Sequence, residues 1–138
     1  MRAVRNPTGF SQQLRSVLFT VYFFLATLVY GVVIAALFWL PFRLRYKLAA
    51  SWAGNVLWML KVLCRLDYVV EGRENIPAGN HISMWKHSSS WETMAQALVF
   101  PAQAWVLKRE LLWIPFVGWA IKLQRPIAID RGSAGRRR

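Results

Sequence analysis

The sequence predicts an α/β protein in which apolar N-terminal helices precede a domain of alternating strands and helices. The first 66 residues contain long apolar stretches and eight basic residues, but no acidic residue. All six acidic residues come later, where short apolar runs alternate with polar connections and helical patterns. An order of strand, helix, strand, helix and strand is typical of an α/β sheet. We therefore predict a membrane-associated helical anchor over residues 1–65 and an α/β domain over residues 66–138.

The anchor begins with an apolar stretch, residues 16–42, that contains no charged residue. A helix of that length would measure roughly 40 Å, which exceeds the hydrocarbon core of about 30 Å. It would span a bilayer with tilt, or bend at Gly31 or Pro41 and return within one leaflet. Basic residues flank both ends, so the positive-inside rule assigns no orientation. A second, shorter apolar helix is predicted over residues 48–63 and suits a membrane interface.

The second part contains polar and charged residues directly after its apolar runs. Strands are predicted over residues 68–70, 81–85, 105–107 and 127–129, and helices over residues 91–100 and 110–123, the latter broken at Pro115. His87, Lys108 and Arg131 each follow one of these strands. In open α/β sheets ligands bind beyond the carboxyl ends of the strands. These three side chains are therefore the first candidates for a site.

His87 and Glu92 are five positions apart, a spacing that suits a base and its orienting partner. An imidazole with a pKa near 6.5 accepts a proton at neutral pH when a carboxylate fixes its tautomer. Such a base can deprotonate a hydroxyl that then attacks an acyl carbon. The serines at 88–90 are predicted as turn and helix-cap residues rather than nucleophiles. The alternative is a surface pair without a catalytic role.

Three segments carry a family resemblance: Lys-His-Ser-Ser-Ser-Trp-Glu-Thr at 86–93, Leu-Lys-Arg-Glu-Leu-Leu-Trp-Ile-Pro-Phe-Val-Gly-Trp at 107–119, and Pro-Ile-Ala-Ile-Asp-Arg at 126–131. Together they resemble the glycerolipid acyltransferases, whose first motif is histidine, four residues, then aspartate. Glu92 takes the aspartate position and is one methylene longer. Asn80 and His81 imitate the opening of this motif, but Lys86 stands where the carboxylate is needed. His87 is therefore the better candidate for the base.

The resemblance implies a reaction and a role for each candidate residue. A fatty acyl group would pass from acyl-CoA or acyl carrier protein to the sn-2 hydroxyl of lysophosphatidic acid, giving phosphatidic acid. His87 would act as the base and Glu92 would orient it, while Lys108 and Arg131 would bind the substrate phosphate. The expected location is the bacterial inner membrane, with the catalytic part facing the cytoplasm. Such a reaction requires no cofactor, and the sequence, with its single cysteine, offers no convincing metal site.

The resemblance also has a limit, and two other functions compete with it. The family's third motif, of the Phe-Pro-Glu-Gly-Thr-Arg type, has no counterpart here, so we expect a partial acyltransferase domain with little activity by itself. The alternative is an inactive, membrane-anchored lipid-binding or interaction module. A formal net charge of +12 is also compatible with nucleic acid. Because the basic residues flank apolar segments and no nucleic-acid motif is present, we predict the lipid bilayer and not nucleic acid as partner.

Overall fold

A computed structural model of the protein describes residues 9–86 and 88–130. Within them the α-helices are α1 (Phe10–Ala36), α2 (Phe42–Cys64), α3 (Ser90–Val99) and α4 (Val117–Lys122), and the strands are β1 (Val106–Lys108) and β2 (Ile127–Ile129). Two short 3-10 helices, Arg73–Asn75 and Arg109–Trp113, complete the regular structure of this part. The predicted α/β class, with an apolar helical N-terminus, is confirmed.

Helices α1 and α2 form an antiparallel hairpin. The hydroxyl of Tyr22 donates to the side-chain oxygen of Asn55, and the indole nitrogen of Trp52 donates to Oγ1 of Thr27 at 3.3 Å. Helix α1 continues through Gly31, and the chain turns at residues 37–41, so the bend lies next to Pro41. Helix α1 has 27 residues, and an 18-residue stretch within it has a mean hydropathy of 2.4, so α1 is long and apolar enough to cross a membrane.

Helix α2 begins six residues earlier than predicted, directly after Pro41. Proline fixes its own φ and lacks a backbone N–H, so it is tolerated where a helix starts but not inside one. The charge-free stretch of residues 16–42 therefore lies in α1 and the following turn, and only Phe42 belongs to α2.

Helix α3 packs against α2 and forms the hydrophobic core. The buried core side chains are Ala53, Val56, Leu57, Met94 and Ala95. Helix α4 instead packs against α1, where a Cβ atom on Gly31 would lie 3.5 Å from the backbone of Val117. The helical hairpin thus supports both later helices, with α3 packed on α2 and α4 packed on α1.

The two strands form a parallel pair joined by the second 3-10 helix and α4. Val106 is level with Ile127, and Lys108 is level with Ile129. The strand predicted at 127–129 is confirmed, and the one predicted at 105–107 lies one residue later. The break predicted at Pro115 is also present, since α4 starts only at Val117.

The strands predicted over residues 68–70 and 81–85 are wrong. Both segments lack regular structure, and Val69 and Ile82 are 84% and 92% exposed. An apolar or alternating pattern favours an extended backbone, but a strand also needs a neighbour that accepts and donates its backbone hydrogen bonds. Within the part of the chain described, that pairing exists only between β1 and β2.

Candidate active site

The start of α3 is fixed by side chains of the predicted motif. Ser89 is the N-cap, and its hydroxyl accepts a hydrogen bond from the N–H of Trp91 at 3.2 Å. Glu92 at the third helical position reaches back to the backbone of Ser89 and completes a capping box. The predicted cap role is confirmed for Ser89, and the helix begins at Ser90, one residue before the predicted start.

The carboxylate of Glu92 accepts hydrogen bonds from both preceding serines. Its Oε1 accepts from the hydroxyl of Ser88 at 2.6 Å and from the N–H of the same residue at 2.9 Å. Its Oε2 accepts from the N–H of Ser89 at 2.8 Å and from the hydroxyl at 2.9 Å. The side chain is buried, with 6% of Glu92 exposed. The N–H of Ser89 also donates to Oε1, at 3.1 Å, so the two serine hydroxyls hold different oxygens whereas the Ser89 N–H contacts both.

These donors keep Glu92 ionised. The hydroxyl of Ser88 makes the largest contribution to holding the pKa of Glu92 well below its ordinary value, and burial opposes it. Hydrogen bonds to the charged form lower a carboxyl pKa because protonation would remove acceptors that these donors require. At neutral pH the residue is therefore a fixed anion at the start of α3.

His87 lies outside the described residues, between Lys86 and Ser88. The role predicted for Glu92, to orient the ring of His87, stays a prediction. The structure adds that Glu92 fixes Ser88, the residue bonded to His87 in the chain. Sequence reasoning missed Ser88 as a donor. The sequence does contain a signal for this contact, the capping-box pattern of a serine (Ser89) three residues before a glutamate (Glu92). That pattern predicts that the glutamate side chain points back towards the turn that contains Ser88.

His81, the competing histidine of the sequence, is in a different environment. It is exposed, and its Nδ1 lies 2.9 Å from the backbone carbonyl oxygen of Gly79. Its ring is tilted against that of Phe100, with 6.2 Å between the ring centroids. A backbone carbonyl can fix a tautomer, but unlike a carboxylate it carries no charge that stabilises an imidazolium.

Lys108 ends β1 at the edge where β2 also ends. Its Nζ lies 3.2 Å from Oε1 of Glu110, and both side chains are more than half exposed. Arg131 lies outside the described residues and follows Asp130, which comes directly after β2. Lys108, the last residue of β1, is level with Ile129, the last residue of β2, so the chain position of Arg131 is two residues beyond the end of the neighbouring parallel strand. Their phosphate-binding role stays a prediction.

A pocket of about 230 Å³ lies beside α3. Its walls come from α3 and from two segments before it that lack regular structure, and the lining residues are Tyr68, Val69, Val70, Glu71, Trp85, Trp91, Ala95 and Val99. The rings of Tyr68 and Trp91 meet edge to face at 5.1 Å. Because Trp91 adjoins Glu92, this mostly apolar pocket begins next to the predicted catalytic motif.

Metal-ligating side chains are dispersed in the described part of the chain. Residues 9–86 and 88–130 contain no group of three or more His, Cys, Asp or Glu side chains able to bind a metal ion. Cys64 is a free, partly buried thiol at the end of α2. The groups that the described part of the site offers for chemistry are the carboxylate of Glu92, the hydroxyls of Ser88 and Ser89, and the ammonium group of Lys108.

The chain is similar in sequence to known acyltransferases. A sequence model of the acyltransferase family matches residues 67–138. The chain is 41% identical over 126 residues to a 1-acyl-sn-glycerol-3-phosphate acyltransferase of Pseudomonas aeruginosa, covering 88% of this chain and 48% of that protein. A protein of the same name from Saccharomyces cerevisiae is 30% identical over 76 residues, covering 54% of this chain and 25% of its own. The chain thus spans half or less of the length of these relatives, and no solved structure matches it significantly.

Proposed function

The chain belongs to the acyltransferase family, and from that premise we propose that it acylates the sn-2 hydroxyl of lysophosphatidic acid. The donor is acyl-CoA or acyl carrier protein, and the products are phosphatidic acid and the free thiol. The similar proteins carry the name of this activity, which belongs to phospholipid biosynthesis. The observation that carries the proposal is the fixed anion Glu92, five positions after His87 at the start of α3.

In the proposed reaction His87 removes the proton of the sn-2 hydroxyl. The resulting oxygen nucleophile attacks the thioester carbonyl, so a C–O bond forms and the C–S bond breaks. The proton passes from His87 to the departing thiolate. Glu92 orients the imidazole and stabilises its charged form, a task that requires the carboxylate to be ionised. The donors from Ser88 and Ser89 meet that requirement.

The cations beyond the two strands bind the phosphate of the acceptor lipid. Lys108 contributes a point charge and Arg131 a planar, bidentate donor. The parallel register supports this assignment, because it brings the carboxyl ends of both strands to one edge. In the structure Lys108 pairs with Glu110, and a phosphate that carries up to two charges replaces this carboxylate when substrate binds.

The lipid substrates are reached from a membrane. Helix α1 is apolar and mostly exposed, and the first 66 residues contain no acidic side chain. Both features favour association with an anionic lipid surface. The location we propose is the bacterial inner membrane with the α/β part on the cytoplasmic side. There the apolar pocket beside α3 takes one end of an acyl chain.

The test is acyl transfer in liposomes that contain the protein, labelled acyl-CoA and lysophosphatidate. Because the chain spans about half the length of its relatives, we expect a low but measurable yield of labelled phosphatidic acid from the wild type. In His87→Ala this yield should fall to the background level, since removal of a base costs about 10²–10⁴-fold. His81→Ala is the matched control and should keep most of the activity. Equal losses in the two variants would contradict the assignment of the base. Absence of product from the wild type with both acyl-CoA and acyl carrier protein would contradict the proposed function.

A second candidate is a lipid-binding or interaction module without catalysis. It is favoured by Ile82 and Met84, which are 92% and 95% exposed on a segment that forms no strand pair with the described residues 9–86 and 88–130. Exposed apolar side chains on an extended backbone are typical of segments that bind another chain. Liposome binding without phosphatidic acid formation would support this function, and turnover that depends on His87 would exclude it.

A further inference from the structure

The three serines that follow His87 have different contacts. Ser90 is the first residue of α3 and is exposed. Ser89 is the N-cap, and its hydroxyl both accepts from the N–H of Trp91 and donates to Glu92. Ser88 precedes the cap, and its hydroxyl donates to Oε1 of Glu92 at 2.6 Å. The hydroxyl of Ser88 is therefore directed at the carboxylate and does not cap the helix.

The contact of Ser88 complements that of Ser89. The Ser89 side chain holds Oε2 of Glu92, whereas the Ser88 side chain holds Oε1. The N–H groups of Ser88 and Ser89 also contact Oε1, at 2.9 and 3.1 Å, so the Ser88 hydroxyl is the third and shortest donor to this oxygen. At 2.6 Å the Ser88 contact has the length of a short, charge-assisted O–H···O⁻ hydrogen bond, the stronger class of such bonds.

We infer that Ser88 is a positioning residue for the proposed acyl transfer: its hydroxyl fixes the Glu92 carboxylate that orients the base. This inference rests on the proposed function. Ser88 does not touch the reacting atoms in this scheme. It acts through Glu92, and the direction of the Glu92 pKa supports it, since the Ser88 hydroxyl is the largest cause of the decrease.

The physical reason is the burial of the carboxylate. A buried charge needs donors for its oxygens, and each lost donor raises the cost of keeping it ionised. Without the Ser88 hydroxyl, Oε1 loses its shortest donor and keeps the N–H groups of Ser88 and Ser89. The anion then binds a proton more readily, and the carboxylate that the proposed reaction uses to orient His87 is less tightly restrained.

The experiment compares Ser88→Ala, Ser88→Thr and Ser88→Cys with the control Ser90→Ala in the liposome assay. We expect kcat to fall about tenfold or more in Ser88→Ala, with the KM of each substrate changed less than about threefold, since a transition-state contact is lost and not a binding contact. Ser88→Thr retains the hydroxyl and should restore kcat to within about threefold. Ser88→Cys keeps the shape but donates weakly, so its kcat should be intermediate. Ser90→Ala should resemble the wild type.

A second measurement follows Glu92 itself. The side-chain carboxyl carbons are labelled with ¹³C and titrated by NMR, with Glu92→Gln to assign the signal. We expect the pKa of Glu92 to rise by about one unit or more in Ser88→Ala and to stay unchanged in Ser90→Ala. This measurement does not depend on turnover. If Ser88 acted only through packing, the pKa of Glu92 would not differ between Ser88→Ala and Ser88→Thr in the way that the presence of the hydroxyl predicts.

The outcomes separate the two proposals. An inactive wild type would overturn the proposed function. An active wild type with Ser88→Ala as active as Ser90→Ala, or with the Glu92 titration unchanged in Ser88→Ala, would overturn the positioning role. Equal loss of kcat in Ser88→Ala and Ser88→Thr would also overturn it, because the hydroxyl would then not be the cause.

Discussion

Nζ of Lys108 lies 3.2 Å from Oε1 of Glu110, so the cation that ends β1 is paired with a carboxylate two positions later. Both side chains are more than half exposed. Exposed ion pairs contribute little to stability, because water and salt screen the attraction. A contact of this kind is easily exchanged for a ligand of the same charge as the carboxylate. Glu110 therefore competes with the phosphate proposed to bind Lys108.

Removal of this competitor should strengthen substrate binding. In Glu110→Gln we expect the KM for lysophosphatidate to fall about two- to fivefold while the KM for acyl-CoA stays unchanged, the size expected for one exposed charge. Lys108→Ala should raise the KM for lysophosphatidate about tenfold. Glu74→Gln removes an exposed acid on the first 3-10 helix and serves as the control. An unchanged KM in both Glu110→Gln and Lys108→Ala would show that the phosphate binds elsewhere.

Arg131 should contribute to the same step. Arg131→Ala should raise the KM for lysophosphatidate more than that for acyl-CoA, and Arg131→Lys should recover only part of the loss, because lysine lacks the bidentate geometry. Steady-state kinetics with each substrate varied in turn will measure this difference. A larger effect on acyl-CoA would instead assign Arg131 to the donor.

The length of the Glu92 side chain should be critical. Glu92→Gln removes the charge, and we expect kcat to fall at least tenfold as control of the imidazole is lost. Glu92→Asp keeps the charge but is one methylene shorter, and reaching both Ser88 and Ser89 from the third position of α3 requires the longer side chain. We therefore expect Glu92→Asp to lose activity as well, although the family motif has aspartate. Full activity of Glu92→Asp would mean that these serine contacts are dispensable.

The low pKa of Glu92 makes stability depend on pH. The pKa is lower in the folded than in the unfolded chain, so the stabilisation is complete above the ordinary glutamate pKa of about 4.3 and is lost as the pH falls below it. Denaturation at pH 7, 5, 4 and 3 should show a steeper loss for the wild type than for Glu92→Gln. The slope should not vanish in the variant, because a hydrogen bond from Lys61 also holds the pKa of Asp67 low. Identical slopes would exclude Glu92 as a source of acid sensitivity.

Gly118 should tolerate no side chain. A Cβ atom at this position would lie 2.5 Å from the carbonyl oxygen of Leu112, a backbone atom that cannot move by itself. We expect Gly118→Ala to reduce the free energy of unfolding by about 1–3 kcal/mol, the usual cost of overpacking. Gly79→Ala, where nothing lies within 4 Å of the added Cβ, is the matched control. Thermal unfolding in detergent will compare them, and equal midpoints would contradict the tight turn before α4.

The sequence allowed prediction of features that depend on local pattern. The apolar stretches, the break at Pro115 and the strand at 127–129 follow from composition and backbone restriction, and the spacing of His87 and Glu92 is visible directly. Pairing is not local: the pattern at 81–85 indicates an extended backbone but not whether a neighbouring strand is present. The contact between Lys108 and Glu110 could not be predicted from the sequence either, because it depends on how the chain turns from β1 into a 3-10 helix.

The helical hairpin also sets an order of assembly. Chains are synthesised from the N-terminus, and early segments fold first. Here α2 provides the apolar surface that α3 covers, and α1 provides the surface that α4 covers. The packing surfaces for both later helices therefore lie on the hairpin. We expect the α/β part to fold onto α1 and α2 as it is synthesised, so a substitution that separates those two helices should impair folding before the predicted catalytic residues are reached.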